Sequence, residues 1–181
     1  MILDFAPLER FFGHLPKDGD IELSLLKCHL LVEEVLSKII STGVRRPNHI
    51  KEARLSFKQK LLLARAVAVS QSHEWIWTSA IKLNDARNEL AHGLETNRIK
   101  EKVEAYIQFV ESKCGAPNAD LIAGPLQRVQ WAAFHTFSGL TAIALSNPAN
   151  TNRMAFTMVS GKNESHSDAQ DSTQNALHQT S

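Results

Sequence analysis

The sequence predicts an all-α protein, an up-and-down bundle of about five helices followed by a polar tail, from three observations. Apolar residues recur at intervals of three and four through most of the chain. No stretch shows the sustained apolar–polar alternation of a half-buried strand. The breaks between the periodic stretches carry residues that start and stop helices: Pro16-Lys17-Asp18-Gly19-Asp20, the run from Thr42 to Asn48, and Gly115-Ala116-Pro117-Asn118.

Residues 1–19 read as an N-terminal segment ahead of the bundle, with Pro16 to Asp20 as a turn ending on an N-cap. The first long helix is expected over Ile21 to Ile40, with Leu23, Leu26, Leu30, Leu31, Val35 and Ile39 inward. Seven residues from Thr42 end it, and a second helix falls around Ser56 to Val69 with Phe57, Leu61, Leu62 and Ala64 inward. Ser72-His73-Glu74 opens the third, which closes at His92 before Gly93, a residue suited to a helix C-terminus. Trp75 and Trp77 are two apart and cannot share a face, so at least one is core. A fourth helix spans about Arg98 to Lys113, with Val103, Tyr106, Ile107 and Val110 facing in. The region 119–146 holds a fifth, whose Pro125 argues for a start near Gly124. Trp131, Ala132, Ala133, Phe134 and Phe137 are its anchors, and its breadth of apolar surface suits packing or dimerisation. The helical domain therefore covers residues 20–146. From Asn147 to Ser181 the composition turns to Ser, Asn, Gln, Thr and His, and this tail is expected to be disordered.

Composition sets limits on function. The 181 residues suit one ordinary domain, and 43% hydrophobic residues suffice for a core. A net charge of +1 gives the whole molecule no electrostatic claim on nucleic acid. Cys28 and Cys114 show no metal-ligand or redox spacing and read as buried free thiols in a reducing compartment. The start of the chain has no secretory pattern, and no apolar run approaches the ~20 residues that span a bilayer. The expected location is the cytoplasm, with no membrane association. No Walker loop, G-x-G-x-x-G, H-E-x-x-H or G-x-S-x-G is present, and no cluster has metal-ligand spacing, so neither a metal nor a cofactor is expected.

The chemistry concentrates in Leu83-Asn84-Asp85-Ala86-Arg87-Asn88-Glu89-Leu90-Ala91-His92-Gly93. Asn88 and His92 are four apart and share a helix face, with Arg87 on the adjoining face. Arginine offers a fork of donors that matches phosphate, and histidine exchanges protons near neutral pH. A bland alternative is an ordinary surface helix whose last-turn histidine is favoured by the helix dipole.

This R-N-x-x-x-H at a helix end resembles the signature of the HEPN superfamily, small all-helical domains many of which are metal-independent ribonucleases. The helix from Leu25 to Ile40 is similar to the first long helix of such domains, and the resemblance covers roughly residues 20 to 112. It implies that Arg87 and His92 take the catalytic positions, that Asn88 takes the polar position after the arginine, and that two protomers meet to form one site. A tyrosine that one subgroup carries two residues after the histidine is Leu94 here, so behaviour tied to it does not carry over. Glu33, or its neighbour Glu34, is a candidate to hold the Arg87 fork, and Asn84 joins Asn88 as a supporting residue. His29, one turn before Glu33, reads as a core histidine.

A second feature is the segment from Arg45 to Arg65. Its seven basic residues, Arg45, Arg46, Lys51, Arg54, Lys58, Lys60 and Arg65, stand against the single acid Glu52, a local charge of +6. Arg45, Arg46, Arg54 and Lys58 are the candidate RNA contacts; the alternative is a solvated helix face beside a loop. The expectation is a homodimeric endoribonuclease acting by 2′-hydroxyl attack, with RNA as substrate and an antitoxin or regulatory protein as a further partner. Two rivals stay open. The order of segments also resembles the mannitol operon repressor family of helical regulators, and a non-catalytic binder of RNA or nucleotides fits the same residues.

Overall fold

In a computed structural model the described residues are 6–17, 19–69, 74–92, 96–118, 122, 124–146; among them are seven helices and no strand. These are α1 (Ala6–His14), α2 (Ile21–Gly43), α3 (Pro47–Glu52), α4 (Phe57–Val67), α5 (Glu74–His92), α6 (Thr96–Cys114) and α7 (Pro125–Leu145). The protein is an all-helical bundle. Gly93 and the segment 147–181, expected as a cap and a disordered tail, lie outside the described residues, as do Ser72 and His73.

Helix α2 is the axis of the bundle and packs against α7, α4, α5, α3 and α1. Asp20 caps it, its carboxylate accepting from the Leu23 amide at 2.8 Å. Its buried stripe is Leu25, Cys28, Val32, Leu36, Ile39 and Ile40, flanked by Ser24, His29, Leu31 and Val35. The expected inward positions Leu23, Leu26 and Leu30 are exposed instead, Leu30 at 63%. Both stripes satisfy helical spacing; the one that wins also contains small or polar residues that the core can hold because they find partners or fit close contacts. Ser24, for example, accepts from the Gln130 side chain of α7 at 3.1 Å.

Two helices go beyond the expected five. α1 brings Phe11 fully into the core against Phe137 of α7, ring centres 5.0 Å apart, while Phe12 stacks on Phe134 at the surface. α3 is a six-residue turn of helix begun by Pro47 that buries no residue. Arg54, just after it, takes a left-handed backbone with φ of 45°, which turns the chain toward α4. A reciprocal capping box between Ser56 and Gln59 then starts α4. Phe57, Leu61 and Ala64 are buried there as expected, but Leu62 faces solvent.

Helices α5 and α7 run in opposite directions along their contact, with Ser79 against Thr136 and Ile76 against Gly139. A β-carbon at Gly139 would come within 2.6 Å of the Ile76 side chain, so the absent side chain is what lets the helices approach. Trp77 is core and Trp75 half-buried. On α6, Val103, Tyr106, Ile107 and Val110 are all buried. Gly124 and Pro125 open α7, which buries Leu126, Val129, Ala133, Phe137 and Leu140 among others. Arg128 of α7 bridges Glu104 and Glu111 of α6 at 3.0–3.1 Å. On the outer side of α7, Trp131 lies 4.4 Å from the His135 ring.

The cysteines separate. Cys28 is buried, and burial pushes its thiol up to about 12, whereas Cys114 is exposed at the end of α6, against the expectation of two buried thiols. Among the described residues no helix is long and apolar enough to cross a membrane.

Candidate functional site

The site candidates lie on the C-terminal half of α5. Its inner face, Ile76, Trp77, Ala80, Leu83 and Ala86, is fixed by the core. That phase turns Asn84 and Arg87 to half-buried positions and Asn88 outward. His92 is the last residue of α5; its side chain lies outside the described residues.

Arg87 donates to Asn88 Oδ1 at 3.5 Å, a long bond between adjacent residues. No carboxylate reaches it among the described residues. The contrast is with Arg128, the other half-buried arginine described, which two carboxylates hold. Several exposed arginines are also paired, Arg10 with Glu34, Arg65 with Glu74 and Arg98 with Glu89.

Behind Arg87 is a polar cluster between α2, α4 and α5. The His29 ring is 6% exposed, and its Nε2 donates to Asn84 Oδ1 at 3.2 Å. Its Nδ1 lies 4.0 Å from the Glu33 carboxylate, and its face stacks on Phe57 with centres 4.3 Å apart. Burial holds the imidazole below its ordinary value of 6.5; the Asn84 bond and Glu33 oppose this, and the charge of Arg87 adds to it. Lys60 of α4 donates to Glu33 Oε1 at 2.8 Å. Glu33 is thus engaged by Lys60 and His29 and does not hold the Arg87 fork, and Glu34 is taken by Arg10. The cause is helix phase: Glu33 turns toward α4, where a lysine is within reach, and Glu34 toward α1.

Of the expected supporting residues, Asn88 accepts from Arg87, whereas the Asn84 carbonyl accepts from His29. His29 is buried, as its reading as a core histidine has it, whereas its bond to Asn84 and the Lys60–Glu33 pair were unforeseen. The signal for His29 was its place one turn before Glu33; for Lys60 none exists in the sequence, since the pair is 27 residues apart.

The basic segment is split by the fold. Lys60 and Arg65 are consumed by Glu33 and Glu74. Arg45, Arg46, Lys51, Arg54 and Lys58 are exposed and make no ion pair among the described residues. They occupy the α2–α3 turn, α3, the α3–α4 turn and the first turn of α4.

Among the described residues no group of three or more His, Cys, Asp or Glu could hold a metal ion. Comparison with protein-family models, curated proteins and solved structures finds no match to this chain.

Proposed function

We propose that the protein is a metal-independent endoribonuclease of HEPN type, with Arg87 and His92 as its catalytic pair. The observation that carries this is Arg87, which no carboxylate among the described residues neutralises. A half-buried guanidinium has lost part of its hydration, and that loss is ordinarily offset by a carboxylate, as at Arg128. At Arg87 no carboxylate among the described residues takes that place, and an external anion would fill it, with Asn88 bonded to the same guanidinium. A phosphodiester has the charge and the planar pair of oxygens that a guanidinium fork accepts.

The reaction that fits is attack of the RNA 2′-hydroxyl oxygen on the adjacent phosphorus. The bond from phosphorus to the 5′-oxygen breaks, leaving a 2′,3′-cyclic phosphate and a 5′-hydroxyl. One His92 takes the 2′-hydroxyl proton and a second protonates the departing oxygen; the second comes from another protomer of a two-fold dimer. Arg87 stabilises charge on the non-bridging oxygens. The exposed lysines and arginines between Arg45 and Lys58 supply backbone contacts at a distance from the chemistry. The reading places the protein in the cytoplasm, where an antitoxin or regulatory partner would restrain it.

The deciding experiment is cleavage of single-stranded RNA in excess EDTA by wild type and by His92→Ala. Cleavage by the wild type alone, blocked by a 2′-deoxy substitution at the scissile nucleotide, supports the reading. Equal inertness of both proteins toward RNA overturns it in favour of a non-enzymatic helical regulator.

A further inference from the structure

We propose that His29 is a positioning residue of the α5 site, coupled to it so that a phosphate group on Arg87 and a proton on the His29 ring favour one another. This rests on the reading that Arg87 receives RNA phosphate. It adds an interior group from α2 to a site otherwise confined to one helix end.

The geometry is specific. His29 Nε2 is bonded to Asn84, which lies three residues before Arg87 and four before Asn88 on α5. The ring cannot swing away, because Phe57 covers its face and the residue is almost wholly buried. Three charged groups act on it. Glu33, on its own helix, faces Nδ1 at 4.0 Å. Lys60 from α4 neutralises that carboxylate at 2.8 Å. Arg87 from α5 opposes a positive ring.

In the free protein the loss of hydration, and after it the charge of Arg87, disfavour the imidazolium. The neutral ring with its proton on Nε2 serves Asn84 and leaves a lone pair on Nδ1 toward Glu33. An anion on Arg87 cancels the opposing charge. A second proton can then settle on Nδ1, facing the carboxylate, and the Nε2 donor to Asn84 becomes charge-assisted and stronger. With its carbonyl oxygen held this way, the Asn84 side chain is fixed in orientation and its amino group is left to meet an anionic ligand. Coupling between two bound species is reciprocal, so a ligand that draws a proton onto His29 is itself bound more tightly when the proton is present.

The test uses the full chain carrying His92→Ala, which removes the proton-transfer group of the proposed reaction and slows cleavage enough for binding to be read. The probe is a short oligouridylate. His29 is titrated by NMR of its ring protons, free and saturated, and affinity is measured at about pH 7.5 and about pH 5.5. Saturation should move the His29 midpoint upward by about one unit, and affinity should rise up to about tenfold on acidification. Adding His29→Gln, which keeps a donor but cannot titrate, should leave binding with a flat pH profile. Lys60→Met, which leaves α5 untouched, should raise the His29 midpoint in the free protein by releasing Glu33.

An unmoved His29 midpoint on saturation overturns the coupling while leaving RNA binding intact. So does an unmoved midpoint in Lys60→Met. Absence of oligouridylate binding at both pH values removes the Arg87 reading, and the coupling falls with it.

Discussion

Tyr106 and Thr136 meet at 2.9 Å in the fully buried centre of the bundle, joining α6 to α7 through a hydroxyl pair. Thr136 in turn reaches Ser79 Oγ at 3.1 Å, and Ser79 donates to the Ile76 carbonyl at 2.7 Å. The three hydroxyls thus form a chain across three helices, and burial drives the phenol of Tyr106 well above its ordinary value.

The two ends of that pair should not be equal. Tyr106→Phe removes a donor and leaves Thr136 with Ser79 and the Ala132 carbonyl, costing about 1 kcal/mol. Thr136→Val strands the tyrosine hydroxyl in the core and should cost about 2 to 3 kcal/mol. Urea unfolding of the two variants checks this: the valine variant should show the larger fall in midpoint at unchanged slope.

For the candidate site, His92→Ala should lower RNA cleavage by roughly 10²–10⁴-fold, as loss of a proton-transfer group does. Arg87→Ala should lower it by about 10²–10³-fold through lost stabilisation of charge on the non-bridging oxygens. Arg87 carries no ion pair among the described residues, so its removal should cost little stability. A melting curve within a few degrees of wild type, together with lost cleavage, is the expected pairing of results.

Reversing the charge of Arg45, Arg46, Arg54 and Lys58 should weaken RNA binding and flatten its dependence on salt, because released counterions scale with the phosphates contacted. All four are exposed, so folding should be nearly unaffected. Measuring affinity across a salt series separates this from the alternative: an unchanged slope marks the segment as an ordinary solvated face.

Stability should depend on pH through His29 and His135, both held below 6.5 by burial. For a base whose folded value is depressed, the unfolded chain binds the proton first. The contribution is therefore complete above about 6.5 and is lost as pH falls from there through the folded values. Denaturation midpoints recorded from pH 7.5 downward should decline over that window, and His29→Gln should shallow the decline.

Much of this architecture is legible in the residues themselves. The stripe Val103, Tyr106, Ile107 and Val110 fixes α6, and Gly124-Pro125 fixes the start of α7, because each signal is local. α3 could not be read from apolar periodicity, since Ile50 alone packs against the core from it and no residue is fully buried. The phase of α2 was ambiguous because leucines lie on two faces, and only packing against neighbouring helices selects Leu25 and Leu36 over Leu26 and Leu30. At the site, the place of Asn88 beside Arg87 follows from their adjacency on one helix. The partner of Glu33 does not, because Lys60 is brought to it by the docking of α4 on α2.

The contact between Trp131 and His135 gives the outer side of α7 an optical property. A protonated imidazole against an indole ring quenches its fluorescence, whereas a neutral one does so weakly. Trp131 should therefore dim as acid charges His135, at a midpoint below 6.5, while Trp77, buried in α5, reports the intact helix that carries Arg87. With Trp75→Phe in place, the emission of one sample distinguishes a titrating surface from a melting core.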